Sequence, residues 1–215
     1  MRSEGILHRD GVHINKHLPV IETREEARLR STQEVAYRTL ALLAVALKGE
    51  GLEQQLVEKL VGRYGLAPYF TPNEAVFIRS AAPSQNDRSQ FSWRYEAAWV
   101  LLWALGYLEE LGMPSTICDV RRAVTIMHER TTAQFVADAK LRSLEHVLDE
   151  ADLIYRYDWA VVDARVNDQP SPAGLEPGVV YERHYALNWL IAIDLADVVI
   201  DRMLRQLRKR GTLPL

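Results

Sequence analysis

Five residues sit where their types could do chemistry and where an ordinary surface would not place them: Arg94, Glu96, Glu182, Arg183 and His184. Each stands at the charged start of a helical stretch that then runs on without a charge. Arg94 and Glu96 precede Ala97 to Leu105, and the Glu182–Arg183–His184 run precedes Tyr185 to Ile193. Glu34 and Arg38 precede Thr39 to Leu47 in the same way. A helix that is apolar all round is buried, so these charges lie at the edge of an interior. Advancing by about 100° per residue puts Arg94 on the face of Ala97, Ala98, Leu101 and Leu105. His184 and Asn188 are one turn apart, on a side shared with Leu187 and Ile191. A buried charge must pair or bind something, because leaving it alone costs several kcal/mol.

A source of partners lies in the stretch Leu148 to Arg165, where Asp152, Arg156, Trp159 and Asp163 form one helical stripe flanked by Asp149. The expectation is a polar layer of Arg94, Glu96, Asp152, Arg156, Glu182, Arg183 and His184, ringed by Trp93, Trp159 and Trp189. It reads in two ways. One is a structural ion-pair network that fixes helix register. The other is a pocket: Arg94, Arg183 and His184 fall in early helical turns, where N–H groups and the dipole favour a carboxylate or phosphate. His184 would then be the acid/base and Glu182 its orienting carboxylate, with Arg94 or Arg183 holding an anion. Glu96, Glu182 and the aspartates weigh against a purely anionic ligand.

Other groupings carry less. His8, His13 and His17 stand near the start, but Gly11 and Pro19 prevent one helix from presenting them to zinc. Glu145, His146, Asp149 and Asp152 match no strong metal motif and read as a solvated acidic face. There is no nucleophile elbow, phosphate loop, His-Glu-x-x-His or Glu-x-x-His pair, so no metal or cofactor is implied and no catalytic residue is assigned. Cys118 fits an inert packed thiol between Ile117 and Val120. Arg202, Arg205, Arg208, Lys209 and Arg210 read as cations complementing a helix C-terminus, with a weak RNA or anionic-lipid contact as the alternative.

The elements that must position these residues are helical throughout. A first helix is expected from Arg24 to Leu47, with capping boxes at Thr23/Glu26 and Ser31/Glu34 and a break near Ser31. A second runs from Glu53 to Arg63 and stops at Gly65. Thr71-Pro72-Asn73-Glu74 opens a third that ends near Pro83. Ser84 to Ser89 reads as a loop, and a fourth helix spans Gln90 to Leu108. A fifth covers Asp119 to Arg130, and Ala133 to Asn167 is helical with a break near Lys140. Asp168 to Gly174 cannot continue a helix. Gly178 opens another that reaches Ile193, and an amphipathic basic helix closes the chain over 194–215. Residues 1–22 read as an irregular segment. The fold class expected is all-α, a single compact multi-helix orthogonal bundle with buried central helices.

Composition bounds the rest. The 215 residues are 48% hydrophobic and 26% charged, with 26 Lys+Arg against 29 Asp+Glu and a net charge of −3. That is a globular balance and a poor one for coating nucleic acid. One cysteine excludes an intrachain disulfide. No apolar run approaches the roughly 20 residues of a membrane span, and residues 1–20 lack a signal-peptide core, so a cytoplasmic location is expected.

Several segments together resemble one family. Phe91-Ser92-Trp93-Arg94-Tyr95-Glu96 with Trp99 to Gly106, Leu148 to Arg165, and Gly178-Val179-Val180-Tyr181-Glu182-Arg183-His184-Tyr185-Ala186-Leu187-Asn188-Trp189-Leu190 are similar to the bacterial domain-of-unknown-function 4272 family. His17-Leu18-Pro19 and Ser31 to Ala46 fit as well, and the similarity weakens after Ile193. The resemblance implies a bacterial, cytoplasmic, helical protein and carries no mechanism. The resulting expectation is a non-enzymatic binding or interaction module, with an unknown protein partner or a small anionic ligand and no membrane or nucleic-acid role. The alternative is an enzyme or ligand binder using Arg94, Glu182, Arg183 and His184. The ligand-binding candidates are Arg94, Glu96, Asp152, Arg156, Glu182, Arg183, His184 and Asn188.

Overall fold

The computed structural model describes residues 2–19, 21 and 27–191. The Thr23/Glu26 box and the closing basic helix therefore lie outside the described residues. Local capping fixes most helix starts. Ser31 and Glu34 form a reciprocal box that opens α2 (Thr32–Gly49), so the first expected helix begins at its second box. α3 (Gln54–Tyr64) ends on Gly65 at φ +66, a left-handed cap that glycine adopts at low cost. Thr71 and Glu74 box α4 (Pro72–Arg79), with proline in its first turn. The expected loop at Ser84 to Ser89 is instead α5 (Gln85–Ser92), opened by a Ser84/Asp87 box. The start is also not irregular: α1 (Arg2–Arg9) buries Ser3 and Leu7 and packs on the long helix α9 (Leu144–Val166).

The apolar core helix, α6 (Arg94–Ala104), buries every residue from Tyr95 onward. It stops one turn earlier than its apolar pattern suggests. Gly106 ends it: at φ +80 it forms a left-handed cap, with Gly106 N donating to Trp103 O and Tyr107 N to Leu102 O. Lys140 N and Arg142 N donate to Leu105 O and Ala104 O, and the Arg142 guanidinium takes the carbonyls of Trp103, Leu108 and Glu109. The carbonyls of Trp103, Ala104 and Leu105 are among the last of the helix and need partners from outside it. α7 (Val120–His128) and α8 (Thr132–Asp138) follow, then the long α9 (Leu144–Val166) and α10 (Pro177–Leu190).

All regular structure among the described residues is helical. α2, α6 and α10 form the centre. α2 packs chiefly on α6 and α5, and α10 lies between α6 and α9. One apolar cluster runs from Leu7 in α1 to Ile191 after α10. A satellite cluster of Val45, Val57, Phe77 and Ile78 lies under α5, where Phe91 stacks on Phe77 at 4.2 Å. Two glycines let elements close up. A Cβ on Gly49 would lie 2.6 Å from Ser92 N and 2.9 Å from Arg88 O, so α5 comes this close to α2 because residue 49 has no side chain. A Cβ on Gly178 would lie 2.7 Å from the Trp93 ring.

Candidate functional site

The expected single layer is divided into separate groups. In the first, Arg94 Nη1 sits 2.6 and 2.7 Å from the two Glu182 oxygens, and Arg94 Nε lies 4.0 Å from Glu74 Oε1. Glu74 in turn accepts a two-pronged bond from Arg38, at 2.6 and 2.8 Å. Burial works against the Glu74 carboxylate, but Arg38 and the Thr71 groups outweigh it and hold its pKa below the usual carboxylate value. Glu182 goes the other way: burial, with Glu96 and Glu74 nearby, outweighs Arg94 and pushes its pKa up.

The second group joins Glu96 to Arg183. Arg183 Nε donates to Glu96 Oε2 at 3.2 Å, and its Nη1 donates to the carbonyls of Leu111 and Gly112. Glu96 Oε1 accepts the backbone N–H of Cys118. One carboxylate and one guanidinium therefore pin the segment from Leu111 to Cys118 against α6 and α10.

The third group is apart from both. Asp152 pairs with Arg156 at 2.9 Å and accepts from the Ser3 hydroxyl of α1. This corrects the expectation that the α9 stripe supplies partners for Arg94; Asp163 of that stripe is exposed. His184 forms a fourth, with Nδ1 3.1 Å from Asp158 Oδ2 and its ring 6.0 Å from that of Tyr155. Asn188 is half-buried one turn further along α10. Three buried atoms of these groups, Arg94 Nε, Asp152 Oδ1 and Arg156 Nη2, lack a hydrogen-bond partner. Such imperfect pairs constrain geometry more than they add stability.

A cleft of about 410 Å³ opens beside the second group. Its walls are the C-terminus of α2 (Gly49, Glu50), the first turn of α6 (Trp93, Tyr95, Glu96), Ile117 and Val120, and one face of α5. That face is Gln85, Arg88, Ser89 and Ser92, spaced as a single helical stripe. At the α2 end, the buried Tyr95 hydroxyl donates to Glu50 Oε2 at 2.7 Å. Burial first, and then the Glu50 carboxylate, raise the Tyr95 phenol well above its ordinary pKa, so it stays a donor. Of the eight candidate residues, Glu96 alone is among those that line this cleft.

Sequence reasoning missed Glu50, Arg88, Ser89 and Ser92. The Ser84-x-x-Asp87 box was the available signal for the helix that carries three of them. It also missed Lys48, a buried cation whose Nζ donates to Ile78 O and Ser80 O, closing the end of α4. Burial, and next the charge of Arg88, lower its pKa. Among the described residues no three His, Cys, Asp or Glu side chains are gathered as a metal would need, and no helix is long and apolar enough to cross a membrane.

Fold and site together define an all-helical protein with self-paired interior charges and an open cleft at the end of its central helix. The chain belongs to the family described as a domain of unknown function, DUF4272, whose model matches residues 1–197 of the 215. No curated protein and no solved structure matches it.

Proposed function

We propose that this protein is a non-enzymatic, small-molecule-binding module whose ligand site is the cleft between α2, α5, α6 and the Ile117–Val120 segment. The observation that carries this is the cleft itself. Its volume of about 410 Å³ falls in the range of ligand pockets, and its wall mixes apolar side chains with a few convergent polar groups. The buried ion pairs act as its frame, since Glu96 and Arg183 hold the segment that bears Ile117. A binding role is supported by the two carboxylates of the lining, each held by a neighbouring donor: Glu96 by the Cys118 N–H and Arg183, Glu50 by the Tyr95 hydroxyl.

The test is a thermal-shift screen of a metabolite panel against the full chain and a Ser89→Trp variant. Ser89 is exposed on the cleft wall, so an indole there fills the space without entering the core. At least one compound is expected to raise the Tm of the parent and to lose that effect in the variant. Compounds that stabilise both proteins equally, or that turn over on incubation, would place function elsewhere.

A further inference from the structure

The cleft carries two opposite charges that do not neutralise each other. Glu50 and Arg88 both line it, and no ion pair joins them. Glu50 is the C-cap of α2, its carboxylate steadied by Tyr95 and set at the negative end of the helix dipole. Arg88 is half-buried on α5, and its Nη1 comes within 3.8 Å of where a Cβ on Gly51 would stand. The two charges therefore flank the same end of α2. The apolar part of the lining is the half-buried Trp93, the exposed Ile117 and the half-buried Val120. Arg88 is half-buried and Glu50, held by the Tyr95 hydroxyl, is exposed, so a ligand bearing both charges gains a charge-assisted hydrogen bond at each.

Resting on the reading of the cleft as the ligand site, we infer that its ligand is a small zwitterion of the α-amino-acid type with an apolar side chain. The ammonium meets Glu50, which offers acceptor oxygens alone. The carboxylate meets Arg88, whose planar fork suits a carboxylate. Only two bonds separate the ammonium nitrogen from the carboxylate carbon in such a molecule, so both charged groups must be met on one side. That is how Glu50 and Arg88 lie. The side chain then meets Trp93, Ile117 and Val120. A purely anionic ligand would face Glu50, and a purely cationic one Arg88.

The experiment is calorimetric titration of the full chain with L-leucine, L-methionine and L-phenylalanine. Two truncated forms of leucine accompany them, 3-methylbutylamine without the carboxylate and 4-methylpentanoate without the amine. At least one amino acid is expected to bind at millimolar concentration or below, and more than tenfold tighter than either truncated form. Glu50→Gln, which keeps an acceptor for Tyr95, should weaken the amino acid more than tenfold and leave 4-methylpentanoate unweakened. Arg88→Met should weaken it comparably and leave 3-methylbutylamine unweakened. Truncated forms that bind as tightly as the amino acid, or amino-acid affinity indifferent to Glu50→Gln, overturn the zwitterion. So does the absence of binding by all three amino acids. If other compounds still bind in a manner lost in Ser89→Trp, the cleft remains the site and the ligand class alone has failed.

Discussion

Glu96 offers the sharpest test of how the interior charges act. Its side chain is 2% exposed and supports two donors, the Cys118 N–H and the Arg183 guanidinium. Glu96→Ala leaves Arg183, itself 4% exposed, with only the Leu111 and Gly112 carbonyls. Breaking one side of a buried pair costs about 3–5 kcal/mol, and an orphaned buried N–H about 1–3 kcal/mol. The two are not additive, because Arg183 keeps two carbonyl acceptors and water can follow the deleted side chain. We expect about 3 kcal/mol in urea-induced unfolding, with the denaturant slope unchanged. Glu96→Gln should cost about 2 kcal/mol, since its one amide oxygen cannot serve two donors on opposite sides. The double variant Glu96→Leu with Arg183→Met removes both charges at similar volume and should recover part of the loss of the worse single, the remainder being the orphaned Cys118 N–H at about 1–3 kcal/mol. The Cys118 amide should exchange faster in Glu96→Ala than in the parent. A cost below about 1 kcal/mol for Glu96→Ala, or a double variant no better than its worse single, would refute the reasoning.

Gly49→Ala should destabilise by at least about 1–3 kcal/mol, read as a drop in Tm, despite the better helix propensity of alanine, because the new methyl meets the α5 backbone. Cys118 should resist a thiol reagent at pH 8 until urea is added; burial above all, then the Glu96 charge, raises its pKa, and rapid native labelling would contradict this. Glu150 has its pKa raised chiefly by burial, against the pull of Arg2. The folded state therefore binds the proton more tightly than the unfolded chain, and stability falls as pH rises from the usual carboxylate value through the raised one. Glu150→Gln should flatten that fall and leave the protein at least as stable at pH 7, since the Arg2 pair it removes is a surface pair worth at most about 1 kcal/mol; a loss of more than that would reverse the sign.

Helix starts were legible in the sequence wherever a capping box preceded an apolar pattern, as at Ser31 and Thr71. The same box at Ser84 precedes a helix, Gln85 to Ser92, with almost no apolar residues, and periodicity is silent there. Contact through Gly49 holds that helix in place. The end of α6 was misplaced because the apolar pattern runs on past Gly106, whose left-handed cap stops the helix, and Arg142, far along the chain, takes carbonyls at that end. Within the site, Arg94, Glu96, Glu182 and Arg183 stood out because a charge beside a long apolar run has few places to go. Their pairings were not legible: Glu74, visible only as a capping residue, also receives Arg38, and the α9 stripe turned to α1 instead. The cleft was invisible for the reason that α5 was.

Glu74 closes the first turn of an eight-residue helix with one set of contacts and anchors Arg38 of the central helix with another. A helix that short does not persist by itself in water. Its carboxylate thus makes a local event and a long-range one mutually dependent: α4 acquires its shape as it docks, and a proton taken up there would loosen both together. The satellite cluster beneath, including Phe77 and Ile78, shares that fate, so this end of the molecule should melt as one cooperative piece.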